Sequence, residues 1–351
     1  MSYNILVLGA SYGSLLGTKC LMAGHDVTLV CRAPTADLIR REGTEVRIRL
    51  KGEDAHRSIF SKDQPGRLDA LVPEAVDPAR YDLVCLAMQE PQYAHPSLKG
   101  LMERIAAAGL PCLSIMNMPP LAYLRRIPGL DAAGLEAAYA DPHVWDAFAP
   151  GNVSLCSPDP QAFRPPDEGA NVLHVGLPTN FKAARFVAGA HDRILRTLEA
   201  DIAAVRLDGQ DVPVKLRVYD SLFVPMAKWS MLLTGNYRCI TQGEPVPIRE
   251  AVHSDIDRSR DIYAFVDGVA CALGASPDEL VPFGKYAKAA EGLLKPSSAA
   301  RAIAGGAGAI ERVDVLVQHI ARSLGMAHEA VDATVATVDA RLAENRDRAA
   351  A

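Results

Sequence analysis

The stretch that determines the fold is VLGASYGSLLG, residues 7–17. Asn4 to Leu8 is a short apolar run that leads into a glycine, and Ser14 to Ala23 carries apolar residues at helical spacing. Val27 to Cys31 is a second apolar run. A strand, a helix and a strand within about thirty residues form a β-α-β unit, which typically opens a parallel, doubly wound sheet.

The turn between the first strand and the helix fits two chemistries. Gly9-Ala10-Ser11-Tyr12-Gly13 matches the G-x-S-x-G nucleophile elbow of hydrolases, with Ser11 as the nucleophile. An elbow normally follows several strands and needs a later acid and histidine, whereas only one strand precedes Ser11 and no downstream histidine has a recognisable setting.

A phosphate-binding loop uses more of the same stretch. Gly9 stands where the tight turn is required, and Gly13 and Gly17 stand where the helix approaches a cofactor and the sheet. The helix N-terminus offers free N–H groups to a pyrophosphate. The loop is one residue shorter than G-x-G-x-x-G, with Ala10 or Ser11 in place of the middle glycine. We favour the phosphate loop, and a glycine-rich turn that binds nothing stays open.

Arg32 indicates which dinucleotide would bind. It follows the second strand with no acid beside it. An acid in that place binds the ribose of NAD, whereas an arginine accepts the 2'-phosphate of NADP. The sequence therefore favours NADP (NADPH) over NAD, with a merely solvated Arg32 as the alternative.

The 351 residues, 49% of them apolar, are enough for two domains. Buried-strand candidates alternate with helical patterns such as residues 97–108, which is typical of an α/β domain. These strand candidates are residues 82–88, 111–116, 153–156 and 171–176. From about Tyr219 strand-like runs vanish and helical patterns follow, over residues 221–233, 256–273 and 310–324.

These patterns predict an N-terminal Rossmann-type doubly wound domain, residues 1–210, that binds NADP. An all-helical domain, residues 211–351, would carry substrate binding and catalysis. Residues 118–150 are expected to form a lid or insertion, and residues 345–351 a frayed tail.

Composition excludes several classes of function. A net charge of −5 without a basic block argues against nucleic acid and membrane surfaces. Seven scattered cysteines without a C-x-x-C pair indicate reduced thiols and no metal site. The chain begins without a basic leader, and no apolar run reaches the roughly 18 residues of a membrane span. We expect a cytoplasmic protein whose partner is a small molecule, and a homodimer stays open.

Six stretches carry a family resemblance: NILVLGASYGSLLGTKCLMAGHDVTLVCR (4–32), LIRREG (38–43), YDLVCLAM (81–88), LSIMN (113–117) and, more weakly, KWSMLL (228–233) and KPSSAARAIAGGAGAIERVD (295–314). Together they resemble the ketopantoate reductase (2-dehydropantoate 2-reductase) family. The resemblance implies an NADP-binding Rossmann domain joined to a helical domain, with a 2-keto acid reduced between them.

Several residues acquire roles from this resemblance. Asn117 matches the asparagine near nicotinamide and substrate, although an isolated asparagine also forms strand-end turns. Glu311 matches the substrate-binding glutamate, although a helical glutamate is ordinarily solvated. Ser297 and Ser298 match a serine pair that contacts substrate, although they also suit a helix N-cap.

The chain departs from the family where the proton donor stands. Met231 occupies the position of the lysine that donates a proton to the carbonyl. Lys228 lies one helical turn earlier, but helical side chains lean toward the N-terminus, so its ammonium should point away from the vacant place. Gly235 and Cys239 stand where the family has two asparagines, and Asn236 lies one residue after the first of these positions. Gln89 stands in place of a lysine, and Arg301 in place of an acid.

Hydride transfer develops negative charge on oxygen, so another donor must replace the lysine. Lys228, Asn236, Arg238 and His253 are the nearby polar residues, and Arg301 would favour a carboxylate on the substrate. The predicted catalytic residues are Asn117, Lys228, Asn236 and Glu311. The predicted substrate-binding residues are Arg238, Ser297, Ser298 and Arg301. The predicted cofactor-binding residues are Gly9, Ser11, Tyr12, Gly13, Arg32, Met88 and Asn117.

The sequence thus predicts an NADP-dependent oxidoreductase of the ketopantoate reductase type that acts on a small alcohol or carbonyl compound other than ketopantoate. Two alternatives remain. An opine-type dehydrogenase would reduce an imine with a similar two-domain plan. A non-catalytic NADP-binding sensor would explain the missing proton donor.

Overall fold

The apolar runs of the first half of the chain become strands of a central sheet in the computed structural model, which describes residues 2–350. The strands are β1 (Asn4–Leu8), β2 (Asp26–Val30), β3 (Glu45–Arg49), β4 (His56–Phe60), β5 (Leu68–Leu71), β6 (Leu83–Leu86), β7 (Cys112–Ile115), β8 (Val153–Ser157), β9 (Gln161–Phe163), β10 (Val172–Leu177), β11 (Phe181–Ala184), β12 (Arg206–Leu207), β13 (Gln210–Asp211) and β14 (Leu216–Tyr219).

The α-helices alternate with these strands at first and then follow one another. They are α1 (Gly13–Met22), α2 (Ala33–Glu42), α3 (Pro96–Ala107), α4 (Leu121–Leu124), α5 (Gly189–Ala204), α6 (Trp229–Met231), α7 (Ile248–His253), α8 (Ile256–Ala272), α9 (Phe283–Ala290), α10 (Ser298–Ala304), α11 (Val313–Ser323) and α12 (Glu329–Ala350).

The central sheet has eight strands in the order β14-β11-β8-β7-β6-β1-β2-β5. All neighbours are parallel except β8 and β11. The chain builds outward from β1 through β2 to β5 and then returns to β6 on the other side of β1. This reversal leaves a crevice at the carboxyl ends of β1 and β6, the place where open α/β sheets bind ligands. The predicted doubly wound domain is confirmed.

A second sheet of four strands, in the order β4-β3-β10-β9, lies outside the predicted plan. The prediction of a strand at residues 171–176 was correct as to type, but β10 pairs with β3 rather than with the central sheet. The sequence analysis missed β3, β4 and β9 because their side chains are partly exposed and largely polar, so they lack the continuous apolar run of a buried strand.

The described chain divides into two compact units. Unit 1 contains residues 2–88, 92–126 and 143–225, and unit 2 contains residues 89–91, 127–142 and 226–350. The predicted boundary after residue 210 falls inside unit 1, because β14 pairs with β11 in the central sheet. Beyond β14 every regular element of the described chain is helical, which confirms the helical C-terminal region.

Several predicted elements differ in detail. The helix expected at residues 221–233 is a 3₁₀ turn (Val224–Met226), then α6, then a π-helix (Leu232–Asn236). Residues 118–150 form short pieces rather than one lid, and their central part, 127–142, belongs to unit 2.

The frayed tail expected at residues 345–351 is wrong for residues 345–350, and Ala351 lies outside the described residues. Helix α12 continues to Ala350. The buried Asn345 amide donates to the carbonyl oxygens of Ile303 and Ala307 at 2.8 and 2.9 Å. These bonds hold the last turns of α12 against the end of α10.

Across residues 2–350, no helix is both long and apolar enough to span a membrane. In the same range no three histidine, cysteine, aspartate or glutamate side chains are grouped as metal ligands.

Candidate functional site

Gly9 brings the ends of β1 and β6 together. Its φ of +110° favours glycine, and its N–H donates to the Val30 carbonyl at 3.0 Å. A Cβ at this position would lie 2.7 Å from both the Ala87 carbonyl oxygen and Met88 Cγ. Gly9 and Met88 therefore meet at the crevice, and no larger residue fits at position 9.

Gly13 and Gly17 hold α1 against the sheet. A Cβ on Gly13 would lie 2.5 Å from Val7 Cγ1, and one on Gly17 would lie 3.3 Å from Val27 Cγ1. The glycines of the opening motif are thus required by close backbone approach at both ends of the loop.

The loop ends in unpaired backbone donors. Within residues 2–350, the N–H groups of Ser11, Tyr12 and Gly13 have no acceptor, while the carbonyls of Ser11 and Tyr12 accept the first bonds of α1. Three free amides at the positive end of a ten-residue helix have the geometry and the charge that attract anions. This arrangement fits the pyrophosphate of a dinucleotide.

Ser11 lacks the partner that a nucleophile requires. No histidine within residues 2–350 is hydrogen-bonded to its hydroxyl, and the described contacts of Ser11 consist of its carbonyl bond to Ser14. The elbow interpretation therefore has no base to activate the serine.

The Tyr12 side chain is directed away from the free amides and toward the loop after β8. Its hydroxyl donates to the Pro160 carbonyl at 2.7 Å, and its ring meets Phe181 edge-on at 6.0 Å. Burial, and then the charges of Cys156 and Asp159, raise the pKa of Tyr12, so the hydroxyl stays a donor. Tyr12 thereby anchors the loop after β8 to the phosphate loop.

Arg32 and Asn117 extend the same edge of the sheet. Arg32 is the exposed N-cap residue of α2, directly after β2, and it has no ion-pair partner among residues 2–350. Asn117 is partly buried two residues beyond β7. Because β1, β2, β6 and β7 are parallel, the predicted cofactor-binding residues gather along one carboxyl edge.

The second group of predicted residues surrounds the π-helix of unit 2. The Leu232 N–H bonds to the Lys228 carbonyl at 2.9 Å, and the Tyr237 N–H bonds to the Leu232 carbonyl at 2.9 Å. The second bond spans five residues and makes this turn wider than an α-helical one. π-Turns occur frequently at functional sites. Asn236 ends the turn, and its side-chain amide has no hydrogen-bond partner among the described residues.

Ser297 joins this group through a structural contact. Its hydroxyl donates to the Asn236 carbonyl at 2.7 Å and accepts the Ala300 N–H at 3.1 Å as the N-cap of α10. Ser297 is only 2% exposed. Both hydrogen-bonding roles of its hydroxyl are thus occupied within the protein.

Tyr237 places Glu311 beside the same turn. Its hydroxyl donates to the Glu311 carbonyl at 2.6 Å and accepts the Val313 N–H at 3.0 Å. Burial raises the pKa of Tyr237 well above its usual value. The structure therefore brings Asn236, Ser297 and Glu311 together.

The remaining predicted substrate residues make other contacts or are exposed. Arg238 donates to the Thr234 carbonyl at 3.2 Å and to Ser259 Oγ at 2.7 Å. Arg301 is exposed and donates to the Pro296 carbonyl at 2.8 Å, and Ser298 is exposed at the start of α10. His253 is bonded to the Ala287 carbonyl and lines an open pocket of about 540 Å³ between α8 and α9, which contains no other residue predicted for the site.

Two residues that the sequence analysis missed are Glu90 and Arg164. Glu90 is 2% exposed, and its carboxylate accepts the Ala140 N–H at 3.2 Å. Burial, and then the charges of Glu311 and Asp141, raise the pKa of Glu90 to about 7. Burial also lowers the pKa of Arg164, which lies close enough to Arg32 for the two charges to repel. Neither residue belongs to a recognisable sequence motif, so their burial and their charged neighbours become visible only in the tertiary structure.

Solved structures superpose on nearly the whole chain. A 2-dehydropantoate 2-reductase from Methylococcus capsulatus matches with a TM-score of 0.69 and 15% identity, covering 97% of each chain. A D-mandelate dehydrogenase solved with NADH and anilino(oxo)acetate matches at 0.66 and 14%, covering 98% of this chain and 99% of the other. A dimeric ketopantoate reductase from Staphylococcus aureus matches at 0.59 and 12%, covering 97% and 99%.

The chain has the ketopantoate reductase fold. No family model matches it, and no curated protein matches its sequence. Because identities of 12–15% establish only the ketopantoate reductase fold, function has to be argued from the site residues themselves.

Proposed function

We propose that this chain is an NADP-dependent oxidoreductase of the ketopantoate reductase type, which transfers hydride between NADP(H) and a small alcohol or carbonyl compound other than ketopantoate. A homodimer in the cytoplasm is part of this proposal. The observation that carries it is the set of free amides at Ser11, Tyr12 and Gly13, with the unpaired Arg32 at the end of the neighbouring strand.

The proposal that the chain binds NADP(H) is supported by the charge and the shape of the phosphate loop. The bound dinucleotide would supply the hydride. Gly9 and Gly13 let the loop and α1 pack closely on the ends of β1 and β6, and the free amides with the helix dipole would offset the charge of a pyrophosphate. Arg32 would then pair with the 2'-phosphate, which NAD lacks.

The proposed substrate binding depends on Asn236 and Glu311. The Asn236 side-chain amide has no hydrogen-bond partner among residues 2–350, and the hydroxyl of the next residue, Tyr237, binds the backbone carbonyl of Glu311. With Met231 in the lysine position, an amide N–H from Asn236 is our candidate for stabilising negative charge on the substrate oxygen. Lys228 and Arg238 remain alternative donors, and Arg301 and Ser298 remain predictions for a carboxylate.

The absence of a lysine at Met231 supports a second candidate function. A protein that binds NADP(H) without reducing anything would need the phosphate loop and Arg32 but no proton donor. Oxidation of NADPH by a panel of 2-keto acids would support the enzyme, dependence on an added amine would support the opine-type alternative, and binding without turnover would support the sensor.

The first experiment is a fluorescence titration with NADPH and NADH on the natural chain, Arg32→Gln and Arg41→Gln. We expect NADPH to bind more tightly, and Arg32→Gln to weaken NADPH binding by about tenfold or more while leaving NADH binding unchanged, because one charge-assisted contact is lost. Arg41→Gln removes an exposed arginine of the same helix and should change neither affinity. Absence of binding by either nucleotide would refute the proposed function.

A further inference from the structure

The loop that Tyr12 anchors leads to a second arginine. After β8 the chain leaves the central sheet, passes Pro160 under the Tyr12 hydroxyl, and forms β9, which pairs with β10 in the second sheet. Arg164 follows β9 directly. Only three residues therefore separate Arg164 from Pro160, which is bonded to the phosphate loop.

Arg164 has no partner among residues 2–350. No carboxylate of this range lies within 4.0 Å of its guanidinium and no acceptor bonds to it, although the side chain is partly buried. By contrast, Arg47 of the second sheet contacts Glu45 at 2.7 Å and Glu168 at 2.6 Å. A partly desolvated cation without a counter-ion is unfavourable, so an anion from outside would stabilise it.

The neighbours of Arg164 make this end of β2 cationic. Burial lowers the pKa of the Arg164 guanidinium, and the charge of Arg32 lowers it further. Burial raises the pKa of the Cys31 thiol to about 11, so the thiol stays neutral near Arg164. Asp159, whose charge acts on Tyr12, is paired with Lys182 at 3.1 Å. No carboxylate among residues 2–350 forms an ion pair with Arg32 or Arg164.

We propose that Arg164 and Arg32 together bind the 2'-phosphate of NADP(H), so that the loop after β8 helps to select NADP over NAD. Each guanidinium group can donate two parallel N–H bonds to a phosphate, whereas the ammonium group of a lysine acts as a point charge. This inference rests on the proposed function and adds Arg164 as a residue that determines cofactor specificity.

The test compares adenosine 2',5'-bisphosphate with 5'-AMP by isothermal titration calorimetry, because these ligands differ only in the 2'-phosphate and involve no turnover. We expect Arg164→Gln to weaken binding of the bisphosphate about tenfold or more and to leave 5'-AMP unchanged, with Arg164→Lys in between. Arg49→Gln, an exposed arginine of the same small sheet, is the control and should alter neither ligand. The melting temperature of ligand-free Arg164→Gln should not fall, since the residue makes no internal bond.

The outcomes separate this inference from the proposed function. Equal bisphosphate affinity in Arg164→Gln and the natural chain, with Arg32→Gln impaired, would overturn the role of Arg164 alone. Equal affinity of the natural chain for the bisphosphate and 5'-AMP would overturn both the arginine pair and the NADP preference. Failure to bind either NADPH or NADH would overturn the proposed function and, with it, the arginine pair.

Discussion

Glu90 shows how a single side chain can acquire an unusual protonation state from the fold. It follows β6 by four residues, where a glutamate would ordinarily be solvated, yet only 2% of it is exposed. The bond from the Ala140 N–H compensates part of the cost of burying its charge. Its pKa of about 7 means that the carboxyl group gains or loses its proton near neutral pH.

Glu90→Gln is expected to flatten the pH dependence of stability. The folded pKa of about 7 lies above the ordinary value of 4.5, so the folded state holds the proton more tightly than the unfolded state does. Stability from this group is complete below about pH 4.5 and is lost as the pH rises through 7. Glutamine keeps the shape and the acceptor but has no charge. We expect the variant to be more stable by about 1–3 kcal/mol at pH 8 and little changed at pH 5.

Urea denaturation at the two pH values measures this effect. Glu136→Gln, an exposed glutamate of unit 2, is the control and should follow the natural chain. A natural chain whose free energy of unfolding rises from pH 5 to pH 8 by more than that of Glu90→Gln would contradict the expected sign.

The sequence allowed some site residues to be predicted and concealed others for a physical reason. Gly9, Gly13 and Arg32 occupy positions that a local strand-turn-helix pattern specifies. The surroundings of Glu90 and Arg164 depend on segments distant in sequence, around Ala140 and Arg32. Such a dependence leaves no local signal.

Among the elements, predictability followed burial. Strands β1, β6, β7 and β8 are covered on both faces and therefore have continuous apolar sequences. Strand β3, Glu-Val-Arg-Ile-Arg, is covered on one face and was missed. The π-helix could not be predicted, because nothing in its residues LLTGN specifies a hydrogen bond across five residues rather than four.

Helix α10 offers a test of whether a serine pair is structural or functional. Ser297 caps the helix and bonds to the Asn236 carbonyl, whereas Ser298 is exposed. We expect Ser297→Ala to lower the free energy of unfolding by about 1–2 kcal/mol and Ser298→Ala to lower it by less than about 0.5 kcal/mol. Chemical denaturation of both variants measures the difference. Equal effects would argue against the capping role of Ser297.

At the scale of the whole molecule, the chain enters unit 2 twice before it remains there. The change in composition near residue 219 revealed the helical region, but residues 127–142 could not be recognised as part of it. Their side chains alternate between buried and exposed without helical or strand periodicity. Leu135, which is 1% exposed, lies in the 3₁₀ helix Ala133–Ala138 that packs against α11, and His319 Nδ1 lies 3.4 Å from the Gly134 carbonyl.

A fragment of residues 1–225 should therefore contain residues 127–142 without α11, the helix against which they pack. We expect thermolysin to cleave this fragment at Leu135 and the full chain to resist cleavage there, because removal of α11 exposes that side chain. Mass spectrometry of the digests identifies the site. Protection of Leu135 in the fragment would show that unit 2 is not needed to hold this segment.

The π-helix has a consequence for how such chains diverge by descent. A turn closed by a bond across five residues contains one residue more than an α-helical turn, so a single added codon can be absorbed there without rotating the helix on either side. Counting residues from Met231 pairs the asparagine expected from the resemblance with Gly235, whereas allowing for one added residue in the turn would pair it with Asn236. An alignment without a gap at this turn would then compare every later position with the wrong residue.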